Sequence, residues 1–297
     1  MTDQAEDLKT LMKNKNSSDK AALSNIPPKR KTRIIAVTSG KGGVGKTNIS
    51  TNMAIAYAKM GKNVIVIDAD LGLANVNVMM NIIPKFNLYH VMKKQKKMSD
   101  IIIDTEYGIK FVAGASGFSK IANMEEAERS DFIKELYTLA EADIIIIDTS
   151  AGVSKNVLSF VAAADEVVVV TTSEPTAITD AYGIIKIIAT EVENYDLNLK
   201  MVVNRVNSAL EGKKIAERMI QIVAQFLNLK VEYLGFIYND PAVEQAVLKQ
   251  KPFFISAPKS KAASCLRHIV AKLEKTDYNE YSGLSGFLQK LFGKKWE

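Results

Sequence analysis

Short, nearly unbroken runs of β-branched and other apolar residues recur along the chain: Ile34–Thr38, Val64–Asp68, Ile144–Asp148, Val167–Thr172 and Met201–Val206. Runs of this length without alternation suit strands buried on both faces of a parallel sheet. Between several of them the pattern changes to a helical period. Thr47–Met60 places Ile49, Met53, Ala56, Tyr57 and Met60 on one side, with Gly61 as its stop. Glu125–Ala140, Ala177–Val192, Gly212–Leu227 and Ser260–Leu273 read the same way. Strand and helix alternate, which predicts an α/β fold: a doubly wound, mostly parallel sheet with helices on both faces. This domain covers residues 34–274. Residues 1–33 hold a polar stretch, Pro27-Pro28 and a basic run from Lys29 to Arg33, with too few apolar positions for a core. They read as a flexible basic arm.

Composition narrows the class. The 297 residues are 47% hydrophobic and 24% charged, a globular balance that excludes wholesale disorder. No apolar run approaches the roughly 18 residues of a spanning helix, and the polar N-terminus predicts no signal peptide. A single cysteine, Cys265, excludes a disulfide framework or a cysteine-ligated metal within one subunit, and two histidines leave little for a His cluster. The expected compartment is the cytoplasm. The net charge of +6 sits in the two ends: residues 1–33 carry eight Lys and Arg against four Asp and Glu, and residues 284–297 carry Lys290, Lys294 and Lys295 against Glu297. The body between them is neutral, which counts against nucleic acid as a partner.

Several of the strands end in polar residues: Thr38-Ser39-Gly40, Asp68, Asp148, Thr171-Thr172 and Asn204. Ligands of open parallel sheets bind beyond the carboxyl ends of strands, so these residues converge on one crevice. The first strand runs into Gly40-Lys41-Gly42-Gly43-Val44-Gly45-Lys46-Thr47 and then into a helix, the context that a phosphate-binding G-x-x-x-x-G-K-[ST] loop requires. Its backbone N–H groups cradle phosphate oxygens, Lys46 reaches the β- and γ-phosphates, and Thr47 ligates Mg²⁺. The side-chain amide of Asn204 suits an adenine edge, and no N-K-x-D guanine pattern is present, so ATP is favoured over GTP.

The K-G-G-V-G-K-T of this loop resembles the deviant Walker A family of P-loop ATPases, which includes MinD, ParA and the nitrogenase iron protein. The resemblance implies that Lys41 crosses a face-to-face, ATP-dependent homodimer to the partner's phosphates, like an arginine finger given in trans. It makes Lys41, Lys46 and Asp70 the catalytic set, with Asp70 positioning the attacking water. It places Thr47, Asp68 and Asp148 at Mg²⁺, and the loop from Gly40 to Asn48 around the nucleotide. Gly152 then offers its N–H to the γ-phosphate, Asn204 reads the base, and Asn239-Asp240-Pro241 closes over adenine.

At the C-terminus the apolar positions Leu284, Phe287, Leu288, Leu291, Phe292 and Trp296 form a helical stripe, with Lys290, Lys294 and Lys295 on or beside the opposite face. Such a helix lies in a membrane interface, each lysine adding about 1 kcal/mol on anionic lipid. With 275–283 as a polar linker, residues 284–297 are expected to tether the protein peripherally to the inner face of the membrane. Asp3-Gln4-Ala5-Glu6-Asp7-Leu8-Lys9 resembles the D-Q-A-x-x-L-R element of the FlhG family (also called FleN or YlxH), MinD relatives that set flagellar number and position. The likeness extends through Asp68–Val76 and Glu174–Tyr182. It implies that Asp3, Gln4, Ala5 and Leu8 activate the flagellar SRP-type GTPase FlhF, and that flagellar C-ring proteins are partners. Lys9 stands where that pattern has Arg, and Asn77 where an aspartate is usual. The alternatives are a MinD-type regulator of the cell-division site and a ParA-like DNA-partitioning ATPase.

Overall fold

The computed structural model describes residues 32–70, 75–114, 126–192, 197–274 and 284–293. All five predicted strands are present: β1 (Arg33–Ser39), β2 (Val64–Ala69), β5 (Ile144–Ala151), β6 (Glu166–Thr172) and β7 (Asn198–Val206). Three more were not anticipated, β3 (Ile102–Asp104), β4 (Lys110–Ala113) and β8 (Val231–Tyr238). The eight form one sheet in the order β3-β4-β2-β5-β1-β6-β7-β8. Every neighbouring pair is parallel except β3 with β4 at one edge.

Successive residues of β1 face opposite ways, as the pleat requires. Ile34 and Ala36 join the core that holds the helices Lys155–Ala163, Pro175–Glu191 and Ala209–Leu227. Ile35 and Val37 join the core on the other face, with Lys46–Lys59 and Lys261–Glu274. The sheet is therefore buried on both sides, which is why its central strands could be read from continuous apolar runs. The predicted helices appear with ends shifted by a few residues, and Glu126–Leu136 passes into a 3₁₀ turn at Tyr137–Glu141.

At the amino ends of the strands, charged groups alternate across four neighbours. Arg33 on β1 pairs with Glu166 on β6, fully buried Lys200 on β7 reaches Glu166 and Glu232, and Lys272 meets Glu232 from the helix behind. Buried charges paired in this way penalise any strand order or register that would separate them.

The C-terminal helix Leu284–Gly293 packs on the domain. Leu284, Phe287 and Leu288 are buried and Leu291 is partly buried in the core layer beside Ile34, Ile145 and Phe160, while Lys290 stays exposed. The described part of the stripe faces the body, because apolar area on the outer sheet layer offers it the same burial that a bilayer would. The side chain of Phe292, residues Lys294, Lys295 and Trp296, the linker 275–283 and the N-terminal Asp3, Gln4, Ala5 and Leu8 lie outside the described residues. Among the described residues, no helix is long and apolar enough to cross a membrane.

Candidate functional site

The parallel strands point their carboxyl ends at one crevice, and the loop after β1 wraps it. The helix Lys46–Lys59 begins from Gly45, whose φ of 93° is left-handed and favours glycine. A Cβ on Gly45 would stand 2.3 Å from Nδ2 of Asn204. At Gly40 a Cβ would stand 2.0 Å from the carbonyl oxygen of Asp180, so the glycine lets the helix Pro175–Glu191 close against the loop. The resulting cavity of about 360 Å³ is lined by Gly42, Gly43, Gly45, Lys46, Thr47 and Asn48. Asp70, Lys41 and Arg205 stand on its walls and rim. This volume and this glycine-lined, cationic floor fit a nucleotide polyphosphate.

Strand register brings the carboxylates together. Asp68 and Asp148 are direct neighbours across β2 and β5. Fully buried Asp148 accepts from Thr47 Oγ1 at 2.7 Å and Ser50 Oγ at 2.9 Å, and faces Lys46 Nζ at 3.3 Å. Asp68 accepts from the N–H groups of Asp70 and Val76 at 3.0 and 3.1 Å. Burial, and next the charge of Asp148, push Asp68 up to about 7 despite those two donors. Two buried carboxylates with one hydroxyl beside them form an oxygen donor set that suits Mg²⁺ and gains from a divalent charge. Among the described residues there is no cluster of three acidic, His or Cys side chains.

Lys41 is placed differently from Lys46. Its ammonium lies at the rim, partly exposed, 2.9 Å from Glu174 Oε2 and 2.8 Å from Thr176 Oγ1. That hydrogen bond, then the lysine's charge, hold the Glu174 carboxyl below its ordinary value. Water competes for such an exposed pair, so the lysine is held loosely and outward.

Three expected contacts are occupied by the protein itself. Nδ2 of Asn204 donates to the carbonyl of Val44 at 2.8 Å, and its Oδ1 accepts from the N–H of Arg205 at 2.9 Å. One amide N–H remains for a base. The N–H of Gly152 donates to Ser39 at 2.9 Å and must leave that carbonyl before it can serve a phosphate. The Asp240 carboxylate accepts from Ala242 and from Ala262, capping two helices at once. Its side chain is therefore a structural cap. Asn239, Asp240 and Pro241 line a separate cavity of about 630 Å³. Sequence reading also missed Ser50, which holds Asp148, and the Glu174–Thr176 seat of Lys41. Its only signal for Ser50 was the spacing of three from Thr47, which puts both hydroxyls on one helix face.

The family described as the CobQ/CobB/MinD/ParA nucleotide binding domain matches residues 35–253. The flagellum site-determining protein YlxH of Helicobacter pylori is 37% identical over 299 aligned positions, covering 98% of each chain. The antiactivator FleN of Pseudomonas aeruginosa is 35% identical over 243, covering 82% of this chain and 86% of that one. Among solved structures, MinD of Pyrococcus horikoshii in complex with Mg-ADP superposes with a TM-score of 0.65 at 24% identity, over 82% of this chain and 96% of that one. That likeness shows the fold.

Proposed function

The chain belongs to the CobQ/CobB/MinD/ParA nucleotide-binding family and is a P-loop ATPase, and from that premise we propose an ATP-driven, dimerising regulator of flagellar number or placement. The observation that carries the flagellar reading is the match to YlxH across nearly the full length of both chains.

The residues divide the work as follows. The loop from Gly40 to Asn48 binds the polyphosphate, and Lys46 turns from Asp148 toward its charge. Thr47, Asp68 and Asp148 would hold Mg²⁺, which when bound neutralises phosphate oxygens. The free N–H of Asn204 meets the acceptor N7 of adenine, while its other bonds keep the base site coupled to the phosphate loop. Asp70, on the cavity wall just beyond β2, orients the attacking water. Lys41 leaves Glu174 and Thr176 and completes the site of a second subunit, where a cation in trans is worth on the order of 10³–10⁵ in rate.

Membrane attachment requires the helix Leu284–Gly293 to leave its seat. The lipid affinity of one copy is reduced by the fraction that stays docked. Two copies on a dimer gain roughly 10²–10⁴ by avidity, which ties residence on anionic lipid to ATP. The N-terminal arm, through Gln4, supplies the activating element for FlhF.

The test is the oligomeric state and lipid binding of Asp70→Ala. It should bind ATP, lose at least 100-fold in turnover and accumulate as a dimer that pellets with anionic liposomes. A monomer at saturating ATP would refute the switch. For the arm, a peptide of residues 1–20 should raise GTP turnover by FlhF, and Gln4→Ala should remove the effect. Stimulation that survives the change would remove the FlhF role.

A further inference from the structure

Arg205 follows Asn204 directly, where β7 loses register with β8 between Val203 and Val206. Its φ of 56° lies in the left-handed region, which disfavours a residue with a long side chain. Irregularities of this kind re-aim a side chain, and backbone strain of this kind gathers at ligand sites. Here the strained residue is exposed and lines the phosphate cavity together with Lys46 and Thr47. Among the described residues its guanidinium makes no salt bridge or side-chain hydrogen bond, and its charge is felt by the Glu174 carboxylate at the rim, which it helps hold below its ordinary value. The two lysines of the cavity are both engaged, Lys46 with Asp148 and Lys41 with Glu174. Arg205 is thus a cation at the mouth, near Glu174 but not locked to it, that can meet an incoming anion.

We propose that Arg205 binds the polyphosphate of the nucleotide held in its own subunit, the left-handed bulge after Asn204 turning its guanidinium into the phosphate cavity. This rests on the nucleotide reading of the site. A guanidinium stays charged and offers a planar fork that matches two phosphate oxygens, which a lysine at the same place cannot reproduce. Asn204 and Arg205 then divide one turn of chain between base and phosphate. The strain is the structural requirement for that division, because an extended residue 205 would follow the alternation of the strand instead.

The strain makes the test unusually specific. Glycine relieves the left-handed backbone and removes the guanidinium, whereas alanine removes only the guanidinium. Full-length wild type, Arg205→Gly, Arg205→Ala, Arg205→Lys and Lys46→Ala are titrated with ATP and Mg²⁺ by calorimetry, and unfolded thermally without nucleotide. Both Arg205→Gly and Arg205→Ala should bind ATP about tenfold more weakly, with Arg205→Lys in between. The unfolding midpoint of Arg205→Gly should equal or exceed that of wild type. Wild-type affinity in Arg205→Gly and Arg205→Ala overturns the proposal, including the case where only dimerisation is lost and the residue belongs to the interface. A lowered midpoint in Arg205→Gly also overturns it, since the residue would then be structural. Lys46→Ala separates the two failures: if it binds ATP as wild type does, the reading of the site has failed and Arg205 falls with it. If Lys46→Ala loses binding while the Arg205 variants keep it, only the present inference fails.

Discussion

At the scale of single residues, the site is arranged around Asp148 before any ligand arrives. Ser50, one turn into the helix after the phosphate loop, places its hydroxyl 2.9 Å from Asp148 Oδ1, with backbone carbonyls of Lys46 and Thr47 as further acceptors. That hydroxyl orients a carboxylate rather than touching substrate. Loss of such outer partners typically weakens metal binding 10–100-fold. Ser50→Ala should therefore raise the Mg²⁺ concentration needed for half-maximal ATPase by about tenfold, and Ser50→Thr should restore most of it. An unchanged Mg²⁺ requirement would make Ser50 an ordinary buried hydroxyl. The residues legible in the sequence were those whose role is written in consecutive positions, such as Gly45, Lys46 and Thr47, or in the polar end of an apolar run, such as Asp68 and Asp148. Asp240 looked like part of the same site but caps two helices, one of them 21 residues further on. No local pattern reveals a partner supplied from that distance.

At the scale of elements, a helix that is amphipathic has a choice of apolar surfaces. The stripe of Leu284–Gly293 was legible, but the sequence does not say which surface it covers, since lipid and a core layer reward the same residues. Here it covers the body. Phe287→Ala should lower the unfolding free energy in urea by about 3 kcal/mol. A change near zero would place the helix away from the body. The strands divide in a similar way. The five central ones are apolar on both faces and were found. β8 is buried every third residue rather than every second, with register breaks against β7 and Gly235 at a φ of 151°. Its side chains follow neither simple period, so pattern reading passes over it. β3, with three residues, is too short to carry a period at all.

At the scale of the whole molecule, the sheet holds Asp68, Asp148 and the phosphate loop at one end and the buried charge ladder at the other. This gives a rigid platform on which small side-chain movements change what the surface offers. Lys41 is the clearest such movement. It stands at the rim on Glu174 and Thr176, and among the described residues no contact holds it over the cavity floor where Lys46 lies. The central claim is that each subunit's site is finished by the lysine of its twin. Mixing two inactive variants tests it most directly. Lys41→Ala keeps Asp70 but lacks the lysine it would lend, and Asp70→Ala keeps Lys41 but lacks its own water-orienting group. In a mixed dimer, the Lys41→Ala subunit has Asp70 and receives Lys41 from its neighbour. An equimolar mixture should recover roughly a quarter of wild-type ATP turnover, because half the dimers are mixed and each holds one complete site. Turnover no greater than the sum of the two variants alone would show that Lys41 serves its own nucleotide, and would contradict the account.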